Sequence, residues 1–181
     1  MYPATHNSRT TRALRTCAIA LLLLPLQGGH TAIDNERALK FFHTHTGESL
    51  EIVYKREEQY IPEALVEINN FLSDFRTGDA TDMDPELFDL IFEIRDALGS
   101  DATFEVISAY RSPKTNEMLR QRSGGIARNS QHVLGKAIDV RLRGVKSSQL
   151  RDTAVSMQRG GVGYYESSDF VHIDTGRVRR W

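Results

Sequence analysis

The sequence predicts an α+β domain in which a small antiparallel sheet is flanked by helices. Two periodicities lead there. Apolar residues recur at helical spacing over 62–75 and 85–98, and alternate at strand spacing over 137–142 and 171–174. Helices come first, then strands interleaved with helices, an order that suits α+β architecture. The length of 181 residues fits one domain of ordinary size plus a short appendage.

Taken in order, residues 33–46 read as a short helix or extended arm ending in His43-Thr-His45-Thr-Gly47, with both histidines expected at the surface. Ser49 to Tyr54 alternates and is rich in β-formers, which predicts a strand. From Pro62 to Phe75, Leu65, Ile68, Leu72 and Phe75 share one helical face. Asp84-Pro85 supplies an N-cap and a proline at the first helical position, and the helix behind it carries Leu87, Ile91, Ile94 and Leu98 before Gly99 stops it. Phe104 to Ala109 is a second strand, and Ser112-Pro113 opens a helix to about Arg122. Ser123 to Gln131 has neither period and reads as a polar, glycine-containing loop of the sort that carries function. Ala137 to Leu142 and Val171 to Asp174 are strands. Between them Ser147 and Ser148 cap a helix with Leu150, Ala154 and Met157 on its apolar face, closed by Gly160-Gly161.

Charge and cysteine content exclude several classes of function. Twenty-three Lys and Arg against 24 Asp and Glu give a net charge of −1, with no basic excess to advertise nucleic acid. A single cysteine, Cys17, excludes both an intramolecular disulfide and a thiolate-built zinc finger, so any metal site must use His and carboxylates. The balance is uneven along the chain. No acidic residue precedes Asp34, while Arg9, Arg12 and Arg15 stand before the apolar run from Cys17 to Leu26. That layout is expected of an export signal over residues 1–32, cleaved or kept as an N-terminal anchor, and the run is too short for a comfortable membrane span. The remainder, 33–181, then has a net charge of −4 and is expected to work in the periplasm or cell envelope, most simply as a monomer.

The chemistry concentrates in His132-Val-Leu-Gly-Lys-Ala-Ile-Asp139 and Phe170-Val-His172-Ile-Asp174. In the first strand Ile138, Val140 and Leu142 face one way, which turns Asp139 to the other. His132 lies one tight turn upstream, with Gly135 supplying the bend. In the second strand His172 and Asp174 share a face backed by Val171 and Ile173. A carboxylate on such a face needs a cation, donors or water. Two histidines and one carboxylate suit a catalytic zinc that keeps a position for water. On the residues alone, buried histidines satisfied by ordinary ion pairs remain the alternative.

The run Ser108-Ala-Tyr-Arg111-Ser-Pro113, the stretch from Ser130 to Val140, and Phe170-Val-His172-Ile-Asp174-Thr-Gly176 together resemble the zinc peptidases related to D-Ala-D-Ala carboxypeptidase and the hedgehog signalling domain. More narrowly they are similar to MepK-type murein endopeptidases, and Glu36 to Tyr54 also resembles that family. The resemblance implies a hedgehog/D,D-peptidase-like fold and Zn2+ held by His132, Asp139 and His172. It further implies that Arg111 binds a substrate carboxylate or the developing oxyanion. The implied partner is peptidoglycan, cut in its stem peptides or cross-links, including those made through meso-diaminopimelate.

Family members often carry an acid three positions before the last histidine, which points to Asp169 as general base. Glutamate is commoner there and one methylene longer. Glu166 on the preceding loop and a substrate-assisted route are the rivals. Ser130 and Gln131 flank the first ligand and can touch substrate or cap the loop. Of the pair Tyr164-Tyr165, which can line the groove or simply pack, Tyr164 is the candidate substrate contact, with Gly161 and Gly163 giving an extended substrate room to approach. Asp174 is expected to hold the His172 ring or to end the sheet in an ion pair. Arg177, Arg179 and Arg180 read as a solvated tail. The leading function is therefore an exported zinc peptidase of the cell wall. A non-catalytic zinc-containing wall-binding or signalling module is the alternative from another class, and an amidase or esterase using the same metal is the third.

Overall fold

A computed structural model describes Met1, residues 35–122 and residues 127–181. Apart from Met1, the expected export segment lies outside the described residues, as do positions 123–126 of the polar loop. Contacts divide the chain into Met1–Ala32 and Ile33–Trp181. Among the described residues no helix is long and apolar enough to cross a membrane.

The strands are β1 (Glu36–His43), β2 (Ser49–Arg56), β3 (Gln59–Tyr60), β4 (Phe104–Ser108), β5 (Ala137–Leu142), β6 (Gly161–Tyr165), β7 (Phe170–Asp174) and β8 (Arg179–Arg180). The helices are α1 (Pro62–Phe71), α2 (Pro85–Ala97), α3 (Pro113–Arg122) and α4 (Ser147–Met157). All eight strands form one sheet in the order β3-β2-β1-β4-β5-β7-β6-β8. The α+β class holds, but the sheet is neither small nor purely antiparallel. Strand β1 runs parallel to β4, and β8 runs parallel to β6.

The enlargement starts at β1, expected as a helix or arm. Its first half, Glu-Arg-Ala-Leu-Lys, is made of good helix formers. Pairing on both sides, with β2 and with β4, overrides that weak local preference. Leu39, Phe41 and His43 then alternate into the core. His43 is therefore buried rather than exposed. Its ring packs edge-on to Phe71 and Phe75, and Nδ1 accepts the backbone N–H of His45 and Thr46. Burial, helped by neighbouring His45, pushes its pKa down, so the ring sits neutral. His45 stacks outside on Phe75 at 4.0 Å.

Helices α1, α2 and α4 cover one face of the sheet. Ile68, Leu72, Leu87, Phe88, Ile91, Ile94 and Leu150 meet Phe104, Val106, Ile138, Val140, Val171 and Ile173 in one core. Helix α2 begins as its sequence requires: Asp84 accepts the Glu86 N–H at 3.1 Å and Pro85 takes the first turn. Helix α4 instead ends at left-handed Gln158, ahead of Gly160-Gly161. One buried charge sits under this layer. Asp89 of α2 accepts hydrogen bonds from Tyr54, Tyr60 and Lys55 at 2.8–2.9 Å. Although burial works against its ionisation, those donors hold its carboxyl below the usual range. The opposite face of β5, β7 and β6 is left clear of these helices, and the functional groups gather there.

Candidate metal centre

Strands β5 and β7 pair so that Asp139 stands directly opposite His172. Paired residues project to the same face, so both side chains rise together on the uncovered side. His132 reaches them from the turn before β5. That turn is closed by backbone hydrogen bonds from Val133, Leu134 and Gly135 to residues 130–132, with Gly135 at a left-handed φ of 67°. A side chain at Gly135 would also press within 2.8 Å of the Asp82 carbonyl. The bend expected of that glycine is present.

Three donor atoms converge. Nε2 of His132 lies 3.1 Å from Nδ1 of His172 and 3.2 Å from Oδ1 of Asp139, and Nδ1 of His172 lies 2.8 Å from that same oxygen. Donors around a tetrahedral zinc with bonds near 2.0–2.1 Å stand about 3.3 Å apart, so the triangle is close to the size such an ion needs. His132, Asp139 and His172 are all buried and form a group able to hold a metal ion.

The rings are oriented from behind. Nδ1 of His132 lies 2.6 Å from the Ala109 carbonyl, to which it donates, leaving Nε2 as the free lone pair. Nε2 of His172 donates to Oδ2 of Asp174 at 2.8 Å, leaving its Nδ1 for the cluster. Asp174 has no exposed surface. It also accepts the backbone N–H of Gly161 and Gly176 and a two-pronged contact from Arg179, at 3.0 and 2.6 Å. Burial raises its pKa, but His172 and Arg179 outweigh that and keep it an anion. Asp174 thus contacts both the His172 ring and Arg179, and Arg179 is its clamp rather than part of a solvated tail. Burial likewise opposes charge on Asp139, yet the two histidines hold its carboxyl well below the ordinary range. His172 is pushed up by Asp139 and Asp174 against the effect of its own burial. A buried carboxylate that draws positive charge onto its neighbours is a site set for a cation.

The cluster opens into a cavity of about 380 Å³ whose lining includes Arg111, Asn129, Ser130, Gln131, Tyr165, Phe170, Arg179 and Trp181. Ser130 is buried and its hydroxyl accepts the His132 N–H at 3.3 Å, so it braces His132 while lining the cavity. Arg111 is 8% exposed; its Nη2 stands 3.9 Å from Oδ2 of Asp139, and among the described residues its Nε has no hydrogen-bond partner. A buried guanidinium with an unused donor suits an anionic group that arrives with a ligand. Burial lowers its pKa, and Asp139 draws it back upward.

Several expectations about the cavity need correction. Asp169 does not reach the cavity. It caps the 3₁₀ turn Glu166–Ser168 at a left-handed φ of 51°, and its carboxylate takes the Ser147 hydroxyl while Arg141 holds its backbone. It lines a separate depression with Glu105, Arg143 and Ser147. The rival Glu166, in the same turn, is also absent from the cavity lining. Asp169→Asn is accordingly expected to keep kcat within about threefold of wild type; a loss of a hundredfold in steady-state assays would return Asp169 to the chemistry. Tyr164 points the wrong way as well. Tyr165 pairs with Phe170 and so shares the face of His172, whereas Tyr164 pairs with Val171, packs on the core and lies under Arg151. Tyr165 is the cavity residue, stacked on Phe170 at 4.5 Å.

Gly161 and Gly163 do not receive a substrate strand. Side chains there would collide with Arg179 and Trp181, which cross the two glycines to reach Asp174 and His172. Placing Tyr165 requires the phase of β6 against β7, and placing Arg179 and Trp181 requires the pairing of β8 with β6, both of which the glycine-interrupted sequence conceals.

Comparison with known proteins agrees with this geometry. A family model described as peptidoglycan L,D-endopeptidase MepK matches residues 31–181. The chain is 40% identical over 176 residues to the peptidoglycan L,D-endopeptidase MepK of Escherichia coli, covering 97% of each chain, and equally so to that of Shigella flexneri. It is 38% identical over 178 residues to the probable peptidoglycan L,D-endopeptidase MepK of Haemophilus influenzae, covering 97% of this chain and 96% of that one.

Proposed function

Since this chain belongs to the peptidoglycan L,D-endopeptidase MepK family, we propose that it is an exported, zinc-dependent peptidase acting on murein stem peptides or their cross-links. Diaminopimelate cross-links are the expected target, and the periplasm or cell envelope is the expected place of work. The observation that carries this reading is the convergence of three donor atoms on an open cavity with a buried, partly unpartnered arginine beside them.

When bound, the metal supplies a Lewis acid and a water acidic enough to attack near neutral pH. The protein's own groups do the rest. His132 and His172 present fixed lone pairs because Ala109 and Asp174 take their other N–H groups. Asp139 brings the negative charge that favours a divalent cation. Arg111 lines the cavity beside Asp139 and offers its guanidinium to the carbonyl oxygen as charge develops on it, a stabilisation that need not be reorganised during the reaction. Ser130 and Gln131 stand where they can contact the peptide backbone.

One observation favours a second reading, a non-catalytic wall-binding or signalling module that keeps the metal. Among the described residues, no carboxylate besides Asp139 lines the cavity to accept a proton. Digestion of cross-linked muropeptides by the zinc-loaded full chain, with mass analysis of the products, separates the two. New stem fragments that vanish on chelation and return with added zinc support the peptidase. No products while one zinc stays bound would leave the binding module, and full activity in the chelated protein would overturn the metal mechanism.

A further inference from the structure

Resting on the peptidase reading, we propose that Trp181 is a specificity-determining residue whose indole forms an apolar platform for an unbranched aliphatic side chain of the stem peptide next to the scissile bond. The indole is seated with unusual completeness. Its backbone continues the pairing alongside β6, donating to Val162 at 3.2 Å and accepting from Tyr164 at 3.0 Å. Its ring lies on Gly163, where any Cβ would come within 2.6 Å of it. Nε1 donates to the Tyr165 hydroxyl at 3.1 Å, and the Arg179 guanidinium packs 4.9 Å from the ring centre.

Those contacts fix the ring, yet the residue remains 52% exposed, it lines the cavity, and its ring centre is 5.2 Å from that of His172. An apolar surface is therefore held rigid and half-exposed beside His172. Such a surface binds methylene groups with little ordering cost, because the protein has already immobilised it. Gly163 makes room for the indole and the Tyr165 hydroxyl accepts its N–H, so both help to seat it.

The sequence contains one tryptophan, so tryptophan emission from the full chain reports on this position alone. The test uses cross-linked muropeptides and synthetic analogues in which alanine replaces the long-chain residue beside the scissile bond. Trp181→Ala is expected to raise KM for the long-chain substrate about tenfold and to erase its preference over the alanine analogue, with kcat kept within about threefold and zinc content unchanged. Gly163→Ala should reproduce the shift by unseating the ring without removing it, and should damp the emission change that stem peptide produces in wild type. Unchanged KM and selectivity in Trp181→Ala would overturn the proposal. So would loss of zinc or of kcat at constant KM, because the indole would then merely support His172. If wild type cleaves nothing, the peptidase reading fails; an emission change on adding stem peptide, absent in Gly163→Ala, would still support the platform, and no change in wild type would overturn it.

Discussion

His132→Ala should abolish turnover of cross-linked muropeptides, with kcat/KM lower by about 10³-fold or more, because a metal's several kcal/mol of transition-state stabilisation is lost with its binding. Zinc content, measured by elemental analysis, should fall well below one per chain. The reason lies in the size of the donor triangle. Its three edges of 2.8–3.2 Å are closed by single atoms, so alanine removes a corner, and among the described residues no fourth donor joins the group. The Ala109 carbonyl would lose its ring donor too, and a modest fall in melting temperature should accompany the loss. Retention of both zinc and turnover would show that the histidine is structural.

The second large effect is expected at Arg111. Arg111→Ala should lower kcat/KM by about 10²–10³-fold, the usual consequence of deleting one preorganised donor to a developing oxyanion. Zinc content should stay near one per chain, because no ligand is touched. Since Nε has no partner to lose, thermal melting should shift little. Arg111→Lys keeps the charge but not the fork and should recover only part of the rate. If zinc content falls together with rate in both variants, Arg111 would instead be balancing the charge of Asp139 across the 3.9 Å between them.

Much of this centre could be read from sequence because its residues sit on strands with a strong apolar phase. Ile138, Val140 and Leu142 leave Asp139 only one face to occupy, and Val171 and Ile173 do the same for His172. The turn glycine and the α2 cap follow equally local rules. What was hidden depends on pairing between distant segments. The helix formers of β1 give no sign of their two strand neighbours. Gly161-Val-Gly163 carries no alternation that marks a strand, and only pairing with β7 and β8 makes it one. Choosing Tyr164 over Tyr165 is an error of one residue in phase, and only the pairing of Tyr165 with Phe170 settles it. Asp169 shows the same limit: counting back from His172 finds an acid, but the left-handed turn at Asp169 sends its carboxylate to Ser147.

The direct opposition of Asp139 and His172 has a consequence for how such a site is inherited. Their separation is set by the spacing between neighbouring strands, not by the chain that joins them. The loops between 142 and 170, outside α4 and β6, can lengthen, shorten or drift in composition without moving either donor, provided the strands meet in the same phase. An insertion that slips the pairing by a single position would turn one of the two into the core. Distant relatives are therefore better aligned on strand phase than on loop length, and a chain with an unfamiliar connection here can still carry the same centre.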